Sequence, residues 1–181
     1  MLGPGEPLPG EVGTAPGGSL SPLVTVPDEG VEPDVTIALD RRADWIARAV
    51  LVTERGAAAE RFRHFAVRVS RLMQQQGMRA IAVTSALRAE GKTTVSCNLA
   101  LSLAGVMTGR RIALVDLDLR RPRVARGLGI EPRIGIEAAL HGEATLAEVR
   151  HTTQLPGLDV FPVLDPHLRA HELLSAPSLG Q

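Results

Sequence analysis

The feature that most constrains the fold of this 181-residue chain is a short apolar run that leads through a glycine-containing loop into a longer apolar segment. Residues 80–84 read Ala-Ile-Ala-Val-Thr, which predicts a buried strand, and residues 93–107 have the apolar spacing typical of a helix. Between them lies the sequence Glu-Gly-Lys-Thr-Thr at positions 90–94. A strand, a loop and a helix in this order favour an α/β fold in which the helix begins at the loop.

The loop has the residue types that bind phosphate groups. Backbone N–H groups at a helix N-terminus attract anions, a lysine reaches the outer phosphate oxygens, and a threonine hydroxyl holds Mg²⁺. Lys92 is the only lysine beside nineteen arginines, at a position that needs a compact charge. The strict P-loop pattern has glycine where Ala86 stands, so an ordinary strand-to-helix turn is the alternative. The candidate nucleotide-binding residues are Ala89, Glu90, Gly91, Lys92, Thr93 and Thr94.

A second apolar run ends in two carboxylates. Residues 111–116 do not alternate between apolar and polar, which predicts a strand buried on both faces, as in a parallel sheet. Asp116 and Asp118 follow two residues apart, so an extended strand end would point both side chains the same way. Such a pair can hold hydrated Mg²⁺ and orient or deprotonate an attacking hydroxyl, whereas a polar turn with solvated aspartates is the alternative. The candidate catalytic residues are Lys92, Asp116 and Asp118, and the candidate metal ligands are Thr93, Asp116 and Asp118.

The rest of the chain alternates helices and strands behind a polar tail. Residues 1–35 contain seven prolines, seven glycines and six acidic residues but no basic ones, which predicts a disordered tail before a domain at 36–181. Helices are predicted at 44–52, 57–76, 136–140, 144–149 and 170–175, and a third strand at 158–163. The apolar face predicted for helix 57–76 consists of Phe62, Phe65, Val69 and Leu72. The prediction is a three-layer α/β P-loop fold with a mainly parallel sheet, incomplete at the C-terminus.

Composition excludes several classes of protein. A single Cys97 allows no disulfide within the chain and fits a reducing compartment. No signal peptide opens the sequence, and no apolar run reaches the roughly 18 residues of a membrane-spanning helix. Four aromatic residues leave no stacking platform for nucleic acid. His167 and His171 lie at helical spacing, but no third ligand completes a metal site. We expect a soluble cytoplasmic protein.

The two motifs resemble those of the bacterial tyrosine kinases (BY-kinases) of capsule and exopolysaccharide biosynthesis, which are relatives of the partition and septum-site ATPases. Residues 84–86 with 90–94 are similar to the family's Walker A motif, and residues 112–122, ending in Arg-Arg-Pro, to its Walker A′ motif. Residues 135–142 and 172–174 resemble further landmarks of the family. The resemblance implies transfer of the γ-phosphoryl group of Mg·ATP to a protein tyrosine. It implies that Lys92 and Thr93 bind phosphate and Mg²⁺. It also implies that Asp116 and Asp118 serve the metal and the tyrosine hydroxyl, but it does not say which aspartate has which role.

The resemblance also implies partners. These kinases are recruited to the inner face of the membrane by an adaptor of the polysaccharide co-polymerase type, and they assemble into rings through a helix similar to the one that carries Glu60 and Arg63. The chain has no tyrosine, so a tyrosine substrate must be another protein, phosphorylated in trans.

The sequence departs from the family in its first loop and in its length. Arg88-Ala89 stands where the family has Pro-Gly, which removes a residue that adopts positive φ easily. The sequence also stops before the Walker B strand of the family, which predicts marginal stability or a fragment of a longer protein. The alternatives to a kinase are a partition-type ATPase that dimerises on ATP, and a non-catalytic remnant that binds a partner through the Glu60 helix.

Overall fold

The computed structural model describes residues 36–37, 52 and 56–166. In chain order, the elements in these residues are α1 (Ala57–Gln76), α2 (Lys92–Val106), β1 (Ile112–Val115), α3 (Val124–Leu128), α4 (Ile136–Leu140), β2 (His151–Thr152) and β3 (Leu158–Phe161). The helices predicted at 57–76, 93–107 and 136–140 are therefore confirmed. The predicted tail at 1–35, the predicted helices at 44–52 (apart from residue 52) and 170–175, and the two histidines His167 and His171 lie outside the described residues.

Helix α1 packs on α2 through small side chains. Its buried residues are Ala59, Ala66 and Ser70. Ala66 forms an apolar cluster with Leu99 and Leu103 of α2, because a small residue at the contact lets two helices approach closely. The apolar face predicted for α1 is only partly buried, since Phe65 and Leu72 are 43% and 50% exposed.

The sheet has three strands in the order β1-β3-β2. Strands β1 and β3 are parallel, with Leu114 opposite Val160, whereas β2 runs antiparallel to β3. Both of these residues belong to the main core, to which α2 adds Cys97 and Leu101 and α3 adds Leu128. The strands predicted at 111–116 and 158–163 are confirmed, but β1 is buried on one face only and not on both as predicted. The two-residue strand β2 makes the sheet mixed. Parallel pairing brings the carboxyl ends of β1 and β3 to one edge, where α/β proteins bind ligands.

The strand predicted at residues 80–84 is wrong, because this segment has no regular secondary structure. Ile81 is 45% exposed, and Ala80 and Ala82 are exposed as well. A strand persists only when its backbone groups pair with a neighbour. None of the three strands of the described sheet pairs with this segment.

The helix predicted at residues 144–149 is a turn instead. The Thr145 N–H and hydroxyl donate hydrogen bonds to the Glu148 carboxylate at 2.7 and 2.8 Å, and the Glu148 N–H donates to the Thr145 hydroxyl at 3.3 Å. These bonds lower the pKa of Glu148. Thr145 and Glu148 thus form a capping box, the arrangement that starts a helix, but only a single turn follows because the chain enters β2 at His151.

Candidate functional site

The first candidate loop joins the unpaired segment 80–84 to α2. Gly91 precedes the helix with φ 92 and no side chain caps the helix N-terminus. The first-turn N–H groups, which include those of Lys92, Thr93 and Thr94, are thus left without a capping side chain and point out of the helix end. All three residues are partly exposed. This arrangement of free N–H groups with a lysine and a hydroxyl suits an oxyanion such as a phosphate.

Local hydrogen bonds shape this loop on the surface. The Leu87 N–H donates to Glu90 Oε2 at 2.9 Å, and the Ser85 hydroxyl donates to the Leu87 carbonyl, also at 2.9 Å. Leu87 itself is 69% exposed. Ala89, which occupies the position of the family's glycine, has φ 59, the only positive φ of a non-glycine residue in the described part of the chain. A left-handed alanine costs about 1 kcal/mol, so the loop keeps its shape against local strain.

The second candidate loop, residues 117–123, follows β1 and is organised by one buried carboxylate. Asp116 is 5% exposed. Its Oδ1 accepts the N–H of Asp118 at 3.0 Å, and its Oδ2 accepts the N–H groups of Arg123 and Val124, each at 3.0 Å. The last two bonds fix the start of α3. The Asp116 side chain therefore determines how the chain turns after β1.

Asp118 lies in a different environment. Its side chain is exposed and accepts the Arg121 N–H at 3.2 Å. Burial raises the pKa of Asp116; the three backbone hydrogen bonds oppose that effect, and the charge of Asp118 adds to it. The structure thus separates the two predicted aspartates into a buried one bonded to backbone and an exposed one open to solvent.

The second loop lies beside α2, the helix that follows the first loop. Cys97, in the second turn of α2, is fully buried, and its pKa is raised to about 12 by burial and, second, by the negative charge of Asp116. Asp116 therefore acts on the helix that begins at Gly91. Because its pKa is raised, Cys97 is a neutral, unreactive thiol at physiological pH.

Glu137, which the sequence analysis did not identify, fixes the chain at the end of β3. Glu137, buried at the start of α4, accepts the N–H groups of Leu164 and Asp165 at 3.0 and 2.9 Å. Gly135 lies against this carboxylate, and a Cβ there would collide with Glu137 and with the Leu164 backbone. The available signal was the Gly-x-Glu spacing within residues 135–142. Glu137 fixes the chain after β3 at the edge where β1 also ends.

The donor atoms at this edge suit a hard cation. No group of three or more His, Cys, Asp or Glu side chains comes together within the described ranges. Mg²⁺ does not require one, since it is commonly held by one or two carboxylates together with phosphate oxygens and water. Asp118 after β1 and the Thr93 hydroxyl at the start of α2 carry oxygen atoms of the kind that Mg²⁺ prefers.

Comparisons with known proteins give relatives for most of the chain, although no family model matches it. The chain is 31% identical over 138 residues to the succinoglycan biosynthesis transport protein ExoP of Rhizobium meliloti, covering 75% of this chain and 17% of that protein. It is 30% identical over 163 residues to the putative tyrosine-protein kinase EpsB of Ralstonia nicotianae, covering 88% and 21%. The partitioning protein ParA of Caulobacter vibrioides is 36% identical over 93 residues, covering 50% and 34%. The chain thus spans about a fifth of the length of ExoP and EpsB.

Solved structures agree with these relatives. The BceF tyrosine kinase domain matches with a TM-score of 0.58 and 26% identity, over 66% of this chain and 47% of that one. The VpsO kinase domain matches with a TM-score of 0.54 and 32% identity, over 68% and 63%. In the described ranges no helix combines the length and the apolar character needed to cross a bilayer. By sequence and by fold, the chain belongs to the bacterial tyrosine kinase family, among the P-loop proteins related to ParA.

Proposed function

We propose that this chain is the nucleotide-binding part of a kinase that transfers the γ-phosphoryl group of Mg·ATP to a tyrosine of another protein. One observation carries the proposal: the uncapped N-terminus of α2, with Lys92 and Thr93 in its first turn, belongs to the same helix that packs beside the Asp116 loop. A helix end suited to phosphate and a loop that carries carboxylates thus belong to neighbouring elements. Phosphoryl transfer needs these groups because its transition state is stabilised mainly by positioning and charge.

Each residue of the site has a distinct task in this proposal. The N–H groups of residues 89–94 bind phosphate oxygens, and the Lys92 ammonium neutralises charge on the β and γ groups. Thr93 and Asp118 hold Mg²⁺, which when bound offsets the negative charge of the phosphates. Asp118 also orients the incoming hydroxyl in this proposal, which its exposure to solvent supports.

The substrate and the biological setting follow from the relatives and from composition. These 181 residues contain no tyrosine, so the tyrosine that accepts the phosphoryl group lies outside them. Relatives named for succinoglycan biosynthesis and for tyrosine kinase activity support a role in the control of capsule or exopolysaccharide production. A membrane adaptor of the polysaccharide co-polymerase type would recruit the domain from the cytoplasm to the inner face of the membrane.

Assembly with copies of itself is part of the same proposal. Glu60 and Arg63 are both exposed on α1, three residues apart, and are accessible to another subunit. Phe65 and Leu72 add exposed apolar surface on this helix. Exposed apolar side chains beside charged ones are common at protein interfaces.

A partition-type ATPase switch is the second candidate, favoured by the 36% identity to ParA over 93 residues. The two candidates differ in the acceptor of the γ-phosphoryl group, which is a protein tyrosine in one and water in the other. A third candidate, a non-catalytic remnant, is favoured by the unpaired segment 80–84 and by the left-handed Ala89.

Calorimetric titration with Mg·ATP and Mg·ADP tests the proposal, with Lys92→Ala beside the wild type. We expect saturable binding to the wild type and at least about tenfold weaker binding to Lys92→Ala, because a charge-assisted phosphate contact is lost. Arg88→Ala is the matched control, since it removes an exposed positive charge from the same loop outside the phosphate-binding turn. Labelled ATP with a tyrosine-containing copolymer then separates the kinase from the ATPase. If the wild type binds no nucleotide, the non-catalytic remnant is the only one of the three candidate functions that remains.

A further inference from the structure

The hydrogen bonds of Asp116 restrict what its carboxylate can do in a reaction. A carboxylate oxygen has two lone pairs in the plane of the group. Oδ2 accepts from both Arg123 and Val124, so its two lone pairs are occupied by backbone N–H groups. Oδ1 accepts from Asp118 and keeps one lone pair. A buried carboxylate with three of its four acceptor positions filled is poorly suited to bind a metal ion or remove a proton.

Those same bonds place Asp118. The N–H of Asp118 donates to Asp116, the N–H of Arg121 donates to the Asp118 side chain, and α3 begins where Arg123 and Val124 donate to Asp116. Both ends of the loop 117–123 are therefore attached to one carboxylate. Because the Asp118 N–H is itself one of these attachments, the Asp118 side chain is held exposed at the edge of the sheet.

We propose that Asp116 is a positioning residue that folds the loop 117–123, and that Asp118 alone supplies the carboxylate that contacts the metal or the attacking hydroxyl. The catalytic part of this division rests on the proposed kinase function, whereas the structural part does not. Asp116 acts through the backbone bond to Asp118 and through the start of α3. The sequence motif presents two equivalent aspartates, and the structure makes them unequal.

Substitution by asparagine separates the two roles. At position 116 an amide has one acceptor oxygen and one NH₂ donor, and the donor faces either the Asp118 N–H or the pair from Arg123 and Val124. Asp116→Asn therefore leaves at least one backbone N–H without its partner. At position 118 the side chain is exposed, so Asp118→Asn removes charge and leaves the loop intact.

Amide hydrogen exchange followed by NMR tests the structural part on the whole chain without ligand. In Asp116→Asn we expect either the Asp118 amide or the Arg123 and Val124 amides to exchange at least about tenfold faster, the change that corresponds to loss of one hydrogen bond to a charged group. In Asp118→Asn the Arg123 and Val124 amides should keep their wild-type rates. The amides of Leu101 and Leu103 in α2 report on global folding in both variants.

Asp116→Glu keeps the experiment decisive if Asp116→Asn fails to fold. It retains the charge but moves the acceptor oxygens by one methylene, so a positioning role predicts faster exchange of at least one of these amides. Unchanged protection of Asp118, Arg123 and Val124 in every folded variant at position 116 would overturn the proposal.

A double-mutant cycle on the Mg²⁺ dependence of ADP binding tests the catalytic part. If Asp116 acts through Asp118, Asp116→Asn should raise the half-saturating Mg²⁺ concentration in the wild type and change it less than about twofold in Asp118→Asn. If the two substitutions change the half-saturating Mg²⁺ concentration by factors that multiply in the double variant, Asp116 contacts the ion independently. That result would overturn the division of roles. If the wild type does not bind Mg·ADP, the proposed function and with it the catalytic part fail, while amide exchange still decides the role of Asp116 in the loop.

Discussion

The two loops of the site begin from similar sequences and reach different structures. Each follows an apolar run of about four residues and leads into a helix. The run before the second loop forms β1, paired in register with β3, and its loop is fixed by the buried Asp116. The run at 80–84 is exposed and unpaired, and its loop is shaped by surface bonds and a left-handed Ala89.

The difference shows which level of structure determines a strand. Apolar content at 80–84 and at 112–115 is similar, so local preference does not distinguish the segments. What distinguishes them is the neighbour, because β3 satisfies the backbone of β1 and no described strand satisfies that of residues 80–84. The second loop is accordingly pre-formed, and the first depends on local geometry alone.

The largest expected difference between the two segments is in side-chain burial. Leu114→Ala, in β1, should lower the free energy of unfolding by about 3 kcal/mol, because Leu114 is buried in the main core. Ile81→Ala should lower it by less than about 1 kcal/mol, because Ile81 is 45% exposed. Urea denaturation followed by circular dichroism measures both changes.

The two substitutions serve as each other's control, since each shortens one apolar side chain in an apolar run. A loss at Ile81 as large as that at Leu114 would mean that residues 80–84 are buried in solution. That result would remove the contrast between the loops and restore the strand predicted from sequence.

Sequence was sufficient where a pattern depends on local chemistry. The periodicity of residues 57–76 predicted α1, and the runs at 111–116 and 158–163 predicted the parallel pair of strands. The residue types of the site were also recognisable, because phosphate and Mg²⁺ chemistry require them. Their placement in the structure adds what spacing cannot give, namely the burial of Asp116 and the exposure of Asp118.

Sequence failed where a distant partner decides the outcome. The strand at 80–84 depends on pairing, and the predicted helix at 144–149 is limited to one turn because the chain pairs with β3 from His151 onward. Glu137 was missed because an acidic residue near a helix start usually lies on the surface, whereas here it binds the backbone after β3.

The second prediction concerns Cys97, which lies on α2, the helix that follows the first loop. Its pKa of about 12 exceeds the ordinary value of 9.0, so between these pH values the thiol ionises in the unfolded chain but not in the folded one. Stability is therefore unaffected below about pH 9 and should fall by about 1.4 kcal/mol per pH unit above it. Urea denaturation from pH 8 to 11 measures this slope, and the absence of tyrosine removes the usual competing ionisation.

Cys97→Ala is the control, because it removes the titrating group and should leave stability nearly flat over the same range. Asp116→Asn sharpens the comparison further. Since the Asp116 charge contributes to the raised pKa of Cys97, its removal should shift ionisation of the folded thiol to lower pH. A slope that Cys97→Ala does not change would show that α2 is open to water beside the second loop.

The smallest expected effect concerns backbone strain in the first loop. Ala89→Gly should raise the free energy of unfolding by about 0.5–1 kcal/mol, because glycine takes φ 59 without the steric cost that alanine bears. Ala86→Gly is the matched control: Ala86 lies in the same loop without a positive φ, so glycine there only adds flexibility to the unfolded chain and should destabilise slightly. Thermal unfolding of the two variants gives changes of opposite sign if the first loop is strained. Equal changes would mean that Ala89 is not held in the left-handed conformation, and the first loop would then be as free of strain as the second.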